Sequence, residues 1–209
     1  PENHGYKIQR TDLDGQPTFD AIAENVIETT RGTVLGVGEA RCSTVEHAFS
    51  ALYIHGIDNV LVQVDGPEFP ILDGSATPYV QKIAEVGHTE QNADKNWLRI
   101  NQPIEYKDEA TGSHISILPA DSFSVSVSID FNSPLLPPQT ASLEDLNGYD
   151  KEISAARTFV FVREIEPLLS YGLIKGGDLD NAVVIYDKET TQESLDKLCK
   201  LTNAESHDS

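Results

Sequence analysis

Two stretches far apart in this chain spell nearly the same order of events. Arg31-Gly32-Thr33-Val34 opens a strand pattern, a helical pattern follows, then a glycine, then Ile57-Asp58-Asn59-Val60-Leu61-Val62. Later, Arg157-Thr158-Phe159-Val160 opens a strand, "REIEPLLSYG" reads as a helix, glycines follow, and Leu179-Asp180-Asn181-Ala182-Val183-Val184 closes the unit. An order repeated along a chain marks one supersecondary unit used twice. A strand joined through a helix to a parallel strand of its own sheet crosses over right-handed, because a right-twisted strand feeding a helix packs back only that way. The echo therefore predicts a duplicated strand–helix–strand unit.

Local chemistry fills in the rest. "YKIQRTDL" and "PTFDAIAENVIETT" read as an opening hairpin with Asp14-Gly15 at its turn. "TVLGVG" reads as a strand. Ser43 reads as an N-cap, followed by Val45, Ala48, Phe49 and Leu52 at helical spacing, with Gly56 as the stop. "NVLVQV" is a short apolar strand. "DGPEFPILDG" is a loop, and "SATPYVQKIAEVG" is a second helix capped by Ser75 and closed by Gly87. Residues 88–96 read as a linker. "WLRINQPIEY", "HISILP" and "FSVSVSIDF" are further strands, the last alternating as a sheet with one wet face does. After the second exit strand the chain turns polar and acidic, with Leu195, Leu198 and Cys199 on one side of a possible short helix. The first copy has a second helix at the equivalent place, so the second half reads as incomplete. With Pro1 at its start and no methionine anywhere, the chain reads as processed or truncated.

Composition excludes several classes. Thirty-four acidic against 15 basic residues give a net charge of −19. That disfavours nucleic acid and anionic membrane surfaces as partners, because like charge repels them. No apolar run approaches the roughly 18 residues of a membrane span, so stable membrane insertion is not expected. Two distant cysteines, Cys42 and Cys199, make no disulfide framework, and the expected setting is reducing and cytoplasmic.

"RCSTVEHAF" places Glu46 beside His47 in the first turn of the first helix. One reading is structural: Ser43-x-x-Glu46 is capping-box spacing, and a carboxylate suits a helix N-terminus. The other is chemical. Adjacent helical residues point about 100° apart, so the two cannot chelate one ion together. They can divide labour, with a neutral imidazole holding zinc and the carboxylate serving as base toward a water. Both readings stand on spacing alone. Asp73-Gly74-Ser75 fits a turn and cap, or an aspartate that orients a neighbour. Lys175-Gly176-Gly177 fits a flexible loop or a phosphate cradle, but is too short for a dinucleotide fingerprint.

Together, "STVEHAFSALYIHGIDNVLVQVDGPEFPILDGSA" and "SAARTFVFVREIEPLLSYGLIKGGDLDNAVV" resemble the UDP-3-O-acyl-N-acetylglucosamine deacetylases of lipid A biosynthesis in Gram-negative bacteria. The resemblance runs from about Thr29 to about Ile185. It implies an α+β fold of two similar domains, here 1–90 and 91–209. Each is a mostly antiparallel sheet packed on a pair of helices, the helices of the two domains face each other, and the second domain is incomplete. It implies zinc as cofactor, with His47 as metal ligand and Glu46 as catalytic base, leaving the capping to Ser43 and the backbone. It also implies Thr158 at the oxyanion, Phe159 against the sugar, Ile165 and Leu179 along an acyl passage, and Gly177 and Asp178 in a substrate-facing loop. Asp73 matches the family's Asp-Gly-Ser.

The sequence departs from that family in two respects. The family's His-x-x-x-Asp pair of further zinc ligands, and its downstream histidine, are absent. The six histidines are His4, His47, His55, His88, His114 and His207, and none has an aspartate four residues later. The family's first strand and its glycine-histidine loop are absent too. The expectation is an internal fragment that holds zinc weakly and is inactive alone, from a parent that in some bacteria is fused to a 3-hydroxyacyl-[acyl-carrier-protein] dehydratase downstream. The alternative is a non-catalytic module of the same fold that binds a sugar nucleotide or a protein. Arg157, Arg163 and Lys175 are the basic residues near the site motifs, and their direction discriminates: if they point away from Glu46 and His47, the module reading gains.

Overall fold

The computed structural model describes residues 1–170 and 177–187, together with 189, 191–193 and 196. Its elements in chain order are β1 (Tyr6–Arg10), β2 (Thr18–Asp20), β3 (Val26–Glu28), β4 (Val34–Val37), β5 (Ala40–Ser43), α1 (Glu46–Ile54), β6 (Val60–Val64) and α2 (Thr77–Val86). There follow β7 (Ile104–Lys107), β8 (His114–Ile117), β9 (Val125–Ile129), β10 (Gln139–Leu143), α3 (Tyr149–Glu152), β11 (Phe159–Phe161), α4 (Val162–Ser170) and β12 (Val183–Ile185). The fold is mixed α+β, with small, mainly antiparallel sheets and few helices.

The opening hairpin forms at its predicted turn, but its second arm ends at Asp20, and the rest of the expected strand turns away to pair as β3 with β4. Ile8 pairs with Phe19, and Gly15 takes a φ of 74° in the turn. On its other side β1 pairs with β6 in parallel, Ile8 opposite Val62. Ile8 is thus the middle residue of a three-stranded sheet and is fully buried. Arg10 at the end of β1 is buried too. Its guanidinium is satisfied by Asp12 through Nε and Nη2 (2.8 and 2.6 Å) and by the Arg41 carbonyl, as a buried charge must be.

The two echoed units differ in topology. In the second, β11 and β12 are parallel neighbours, Val160 opposite Val184, with α4 between them in the chain. In the first, β4 lies between β3 and β5 in an antiparallel sheet. Gly38, at φ 62°, reverses the chain after β4, so β5 and not β4 leads into α1. Past β6 the chain returns beside it: Ser43 N donates to Pro67 O at 2.9 Å and Phe69 N to Ser43 O at 3.0 Å, a parallel bridge. The shared residue order marks where each unit starts and ends, not which strands pair.

Helix α1 begins differently from its expected capping box. Val45 is the N-cap and no side chain caps the helix. Thr44 takes a φ of 59°, and Ser43 ends β5 with its hydroxyl donating to Pro67 O at 3.3 Å. Glu46 accepts from Thr33 N instead of reaching back to Ser43. The strand pairing at Ser43 holds it outside capping geometry. At the other end Gly56 stops the helix as expected, with Gly56 N on Tyr53 O and Ile57 N on Leu52 O. For α2 the N-cap is Ala76, not the expected Ser75, whose hydroxyl, one residue earlier, accepts from Thr77 N at 3.1 Å; Gly87 closes the helix as predicted.

The strand expected from Trp97 to Tyr106 is shorter, starting at Ile104. Pro103 has no N–H to give a ladder, and Trp97 and Leu98 before it are exposed. Strands β7–β8 and β9–β10 form two separate two-stranded ribbons. All five residues of β9 are exposed. The alternation in "FSVSVSIDF" sorts side chains between two faces, and no neighbouring element covers either face among the described residues. The expected helix face of Leu195, Leu198 and Cys199 lies outside the described residues.

Two core clusters result. One gathers Ile8, Phe19, Leu35, Ala40, Cys42, Val45, Ala48 and Phe69. The other joins Ala51 of α1, Ala76 just before α2 and Val80 within it to Leu143 and Tyr149 from the later half of the chain. Tyr149 also donates its hydroxyl to Ser50 Oγ at 2.8 Å, and Ser50 donates to His47 O at 3.0 Å. Later residues thus help fix the turn that carries His47.

Candidate functional site

Beside that second core, three segments meet edge to edge: the loop 73–76, the segment 154–158 and the turn 178–183. Ala76 N donates to Ser154 O at 3.0 Å, Thr158 N to Gly74 O at 2.7 Å, and Val183 N to Thr158 O at 2.8 Å. Gly74 has a φ of 80°, and a Cβ there would collide with the carbonyl oxygen of Asn181. Only glycine allows the backbones so close. Asp73 accepts from Ser75 N (3.0 Å) and Ser75 Oγ (2.8 Å). Partial burial pushes the Asp73 carboxyl up, but those two bonds and the Arg157 charge outweigh it and hold it below the usual range.

This seam brings Thr158 Oγ1 within 3.3 Å of His47 Nε2, across 111 positions of sequence. Both residues are partly buried. Glu46, on the same helical turn, is exposed, and its Oε1 is held by Thr33 N. A Cβ on Gly32 would stand 3.4 Å from that oxygen, so the loop before β4 lies directly against the carboxylate.

The other expected residues are less clustered. Phe159, at the exposed edge of β11, stacks edge-on with Phe131 and Phe161 at 5.6 Å from each. Ile165 is buried within α4. Gly177, Asp178 and Leu179 are exposed on the turn before β12. The Asp178 carboxylate accepts from Asp180 N and Asn181 N at 2.9 and 3.1 Å, and so shapes that turn. Lys175 and Gly176 lie outside the described residues.

The nearby cations are engaged internally. Arg157 donates from Nε to Asp73 O at 2.8 Å, and from Nη2 to Leu179 O at 3.3 Å and to Asp180 O. Arg163 pairs with Asp187 and sits over the Phe161 ring. Arg31 pairs with Glu164 at 3.2 Å. Nothing in the residue order points to the Thr33 amide, a main-chain group, or to the Tyr149–Ser50 link, whose partners are 99 residues apart. The Arg157 contacts had only its place beside Thr158 to point to them.

A tetrahedral zinc in a catalytic centre takes three protein donors and a water. His47 is a suitable donor. Among the described residues, however, no group of three His, Cys, Asp or Glu side chains could hold a metal ion. The described residues by themselves do not make a zinc site.

Comparisons with known proteins first give the class. The chain is 61% identical over 198 residues to the "Bifunctional enzyme LpxC/FabZ" of Bacteroides thetaiotaomicron, covering 95% of this chain and 43% of that protein. It is 53% identical to the protein of the same name from Porphyromonas gingivalis, covering 98% and 44%. To the UDP-3-O-acyl-N-acetylglucosamine deacetylase of Anaeromyxobacter sp. (strain Fw109-5) it is 44% identical, covering 88% and 60%. The LpxC model, described as UDP-3-O-acyl N-acetylglycosamine deacetylase, matches residues 1–197, and the chain belongs to that family. The match extends well beyond the Thr29–Ile185 stretch that carries the sequence resemblance. The chain spans less than half the length of these bifunctional relatives and about 60% of that deacetylase.

Proposed function

We propose that the protein containing this chain removes the N-acetyl group from UDP-3-O-(3-hydroxyacyl)-N-acetylglucosamine, a zinc-dependent amide hydrolysis in lipid A biosynthesis. The observation that carries the reading is the Thr158 hydroxyl held 3.3 Å from the His47 imidazole, one residue from the Glu46 carboxylate. Curated relatives named as deacetylases support it.

In this proposal Glu46 is the general base. The Thr33 N–H fixes one carboxylate oxygen, and Oε2 accepts the proton of the attacking water. Thr158 donates its hydroxyl to the oxygen that gains charge in the tetrahedral intermediate. Phe159 stacks against the sugar, Ile165 and Leu179 line the acyl passage, and Gly177 and Asp178 face the substrate. Zinc, when bound, supplies a Lewis acid that favours a water pKa near about 7. His47 would be one of its ligands, and the remaining donors would come from residues other than those described. The division into domains near residue 90, a cytoplasmic setting and a fused dehydratase belong to the same proposal. The bifunctional names of the relatives support the last. No described helix is long and apolar enough to cross a membrane.

The test is deacetylation by the full-length protein with and without a chelator, and with Glu46→Gln. A general base contributes about 10²–10⁴-fold, so the variant should lose that much turnover while melting at the wild-type temperature. Unchanged turnover would reduce Glu46 to a structural anchor for Thr33.

A second reading is a non-catalytic module that binds a sugar nucleotide or a protein. It is favoured by the internal engagement of Arg31, Arg157 and Arg163, which leaves these cations committed to other partners than a diphosphate. On that reading the full-length protein binds the UDP-sugar but releases no acetate under any metal condition.

A further inference from the structure

Arg157 lies in one segment of the seam, and its side chain bonds both of the others. Its guanidinium donates to a carbonyl of the 73–76 loop, Asp73 O, and to two carbonyls of the 178–183 turn, Leu179 O and Asp180 O. The next residue in the chain, Thr158, is held by the same two segments through its main chain, its N–H on Gly74 O and its carbonyl under Val183 N. Side chain and backbone of neighbouring residues thus grip the same two pieces of chain. The Gly74–Asn181 approach, too close for any Cβ, shows how tightly the two are drawn together.

The consequence falls on the Thr158 hydroxyl. A threonine side chain is stiff about χ1 because its Cβ is branched, so fixing the backbone on both sides fixes Oγ1. On the opposite wall, the loop runs into α2, α2 packs beside α1 in the cluster that holds Val80 and Ala51, and α1 carries His47. The planar, forked head of arginine can serve several carbonyls at once, whereas the compact ammonium of lysine is a point donor on a flexible stem.

We propose that Arg157 is a positioning residue: by tying Asp73 O to Leu179 O and Asp180 O, it sets the Thr158 hydroxyl against the His47 imidazole. This rests on the reading of Thr158 and His47 as site residues. It also gives a structural reason for an arginine to precede the threonine that is separate from phosphate binding.

The test is a double-mutant comparison in the full-length protein, using Arg157→Lys, Thr158→Val and the pair together. The first readout is the NMR resonances of the His47 ring. Arg157→Lys should move them in the same direction as Thr158→Val, and the double variant should superpose on Thr158→Val alone, since coupled residues are not additive. Resonances left at their wild-type positions by Arg157→Lys, or shifts that simply add in the double variant, would overturn the proposal. The second readout is turnover: kcat should fall by on the order of 10²-fold in Arg157→Lys, as misplacement by about 1 Å can cause, with KM little changed. A fall in substrate affinity with kcat intact would instead make Arg157 a ligand for substrate and overturn the positioning role. Should Arg157→Lys fail to fold, the wild-type Nε–H decides: slowed exchange with solvent supports the clamp, and exchange as fast as in an unstructured peptide refutes it. If wild-type protein shows no deacetylation while the resonances behave as expected, the proposed function fails and the positioning role stands.

Discussion

Gly74 offers a measurement of how tightly the seam is closed. Substituting alanine there has two consequences that can be separated. The first is conformational. At a φ of 80° an L-residue costs roughly 1–2 kcal/mol, offset by about 0.4–1 kcal/mol because alanine restricts the unfolded chain, so the net loss is about 1 kcal/mol. Gly15, at φ 74° with open space around its missing Cβ, isolates that part. The second is steric. The new methyl meets the Asn181 carbonyl, so the loop must retreat, weakening the Thr158 N–Gly74 O bond and the Arg157 Nε–Asp73 O bond. A neutral hydrogen bond contributes about 0.5–1.5 kcal/mol and a charged one about 1.5–3 kcal/mol. Gly74→Ala should therefore cost about 3–5 kcal/mol and Gly15→Ala about 1 kcal/mol. For a chain of this size, about 2–4 °C of melting temperature per kcal/mol gives a drop of about 6–20 °C against about 2–4 °C. Urea titration should show the same ranking in the midpoint with an unchanged slope. Equal losses at the two glycines would refute the close approach, and with it the argument that the backbone fixes Thr158.

Other outcomes follow from the same structure. Burial pushes the Tyr6 and Tyr79 hydroxyls up to about 12 and the Cys42 thiol up to about 11. Their neutral forms are favoured by the fold, so this stabilisation is fully present below about pH 8.5, the ordinary thiol value, and is lost progressively from there to about pH 12; urea midpoints should decline between those limits and hold steady below about pH 8.5. Cys42 should resist a thiol reagent at neutral pH until the chain is unfolded, as a buried, high-pKa thiol does; fast labelling of native protein would contradict its burial. Isothermal titration of this 209-residue chain with zinc should show no sub-micromolar site, because His47 has too few partner donors among the described residues; a tight site would mean that the remaining residues complete one. Tyr149→Phe should cost about 1 kcal/mol, the worth of the lost bond to Ser50, read from urea denaturation.

Features set by neighbours in sequence were legible in advance. The Asp14-Gly15 turn and the Gly56 and Gly87 helix stops each rest on the preferences of two to four residues, and each forms. The Ser43–Glu46 capping box is just as local, yet it fails, because parallel pairing of Ser43 with the chain beyond β6 outweighs one capping bond. Pairing of β1 with β6 was not legible, since nothing in either strand names its partner. The exposed ribbons around β9 show the limit of alternation, which assigns faces but not what covers them. At the site, the importance of Glu46, His47 and Thr158 came from family motifs. The 3.3 Å approach of Thr158 to His47 depends on the seam, whose bonds join segments far apart in the chain and mostly involve main-chain atoms. Such atoms leave no mark in a residue code except where, as at Gly74, they leave no room for a side chain.

That last property bears on how the protein can change over generations. A join built from peptide groups is indifferent to most replacements of side chains, because every residue but proline brings the same donor and acceptor. It is intolerant of changes in spacing. Losing or gaining one residue between Asp73 and Ala76, or between Ser154 and Thr158, would slide every peptide out of step with its partner and carry the Thr158 hydroxyl away from the imidazole. Substitutions can accumulate along these loops, while their lengths are locked to one another.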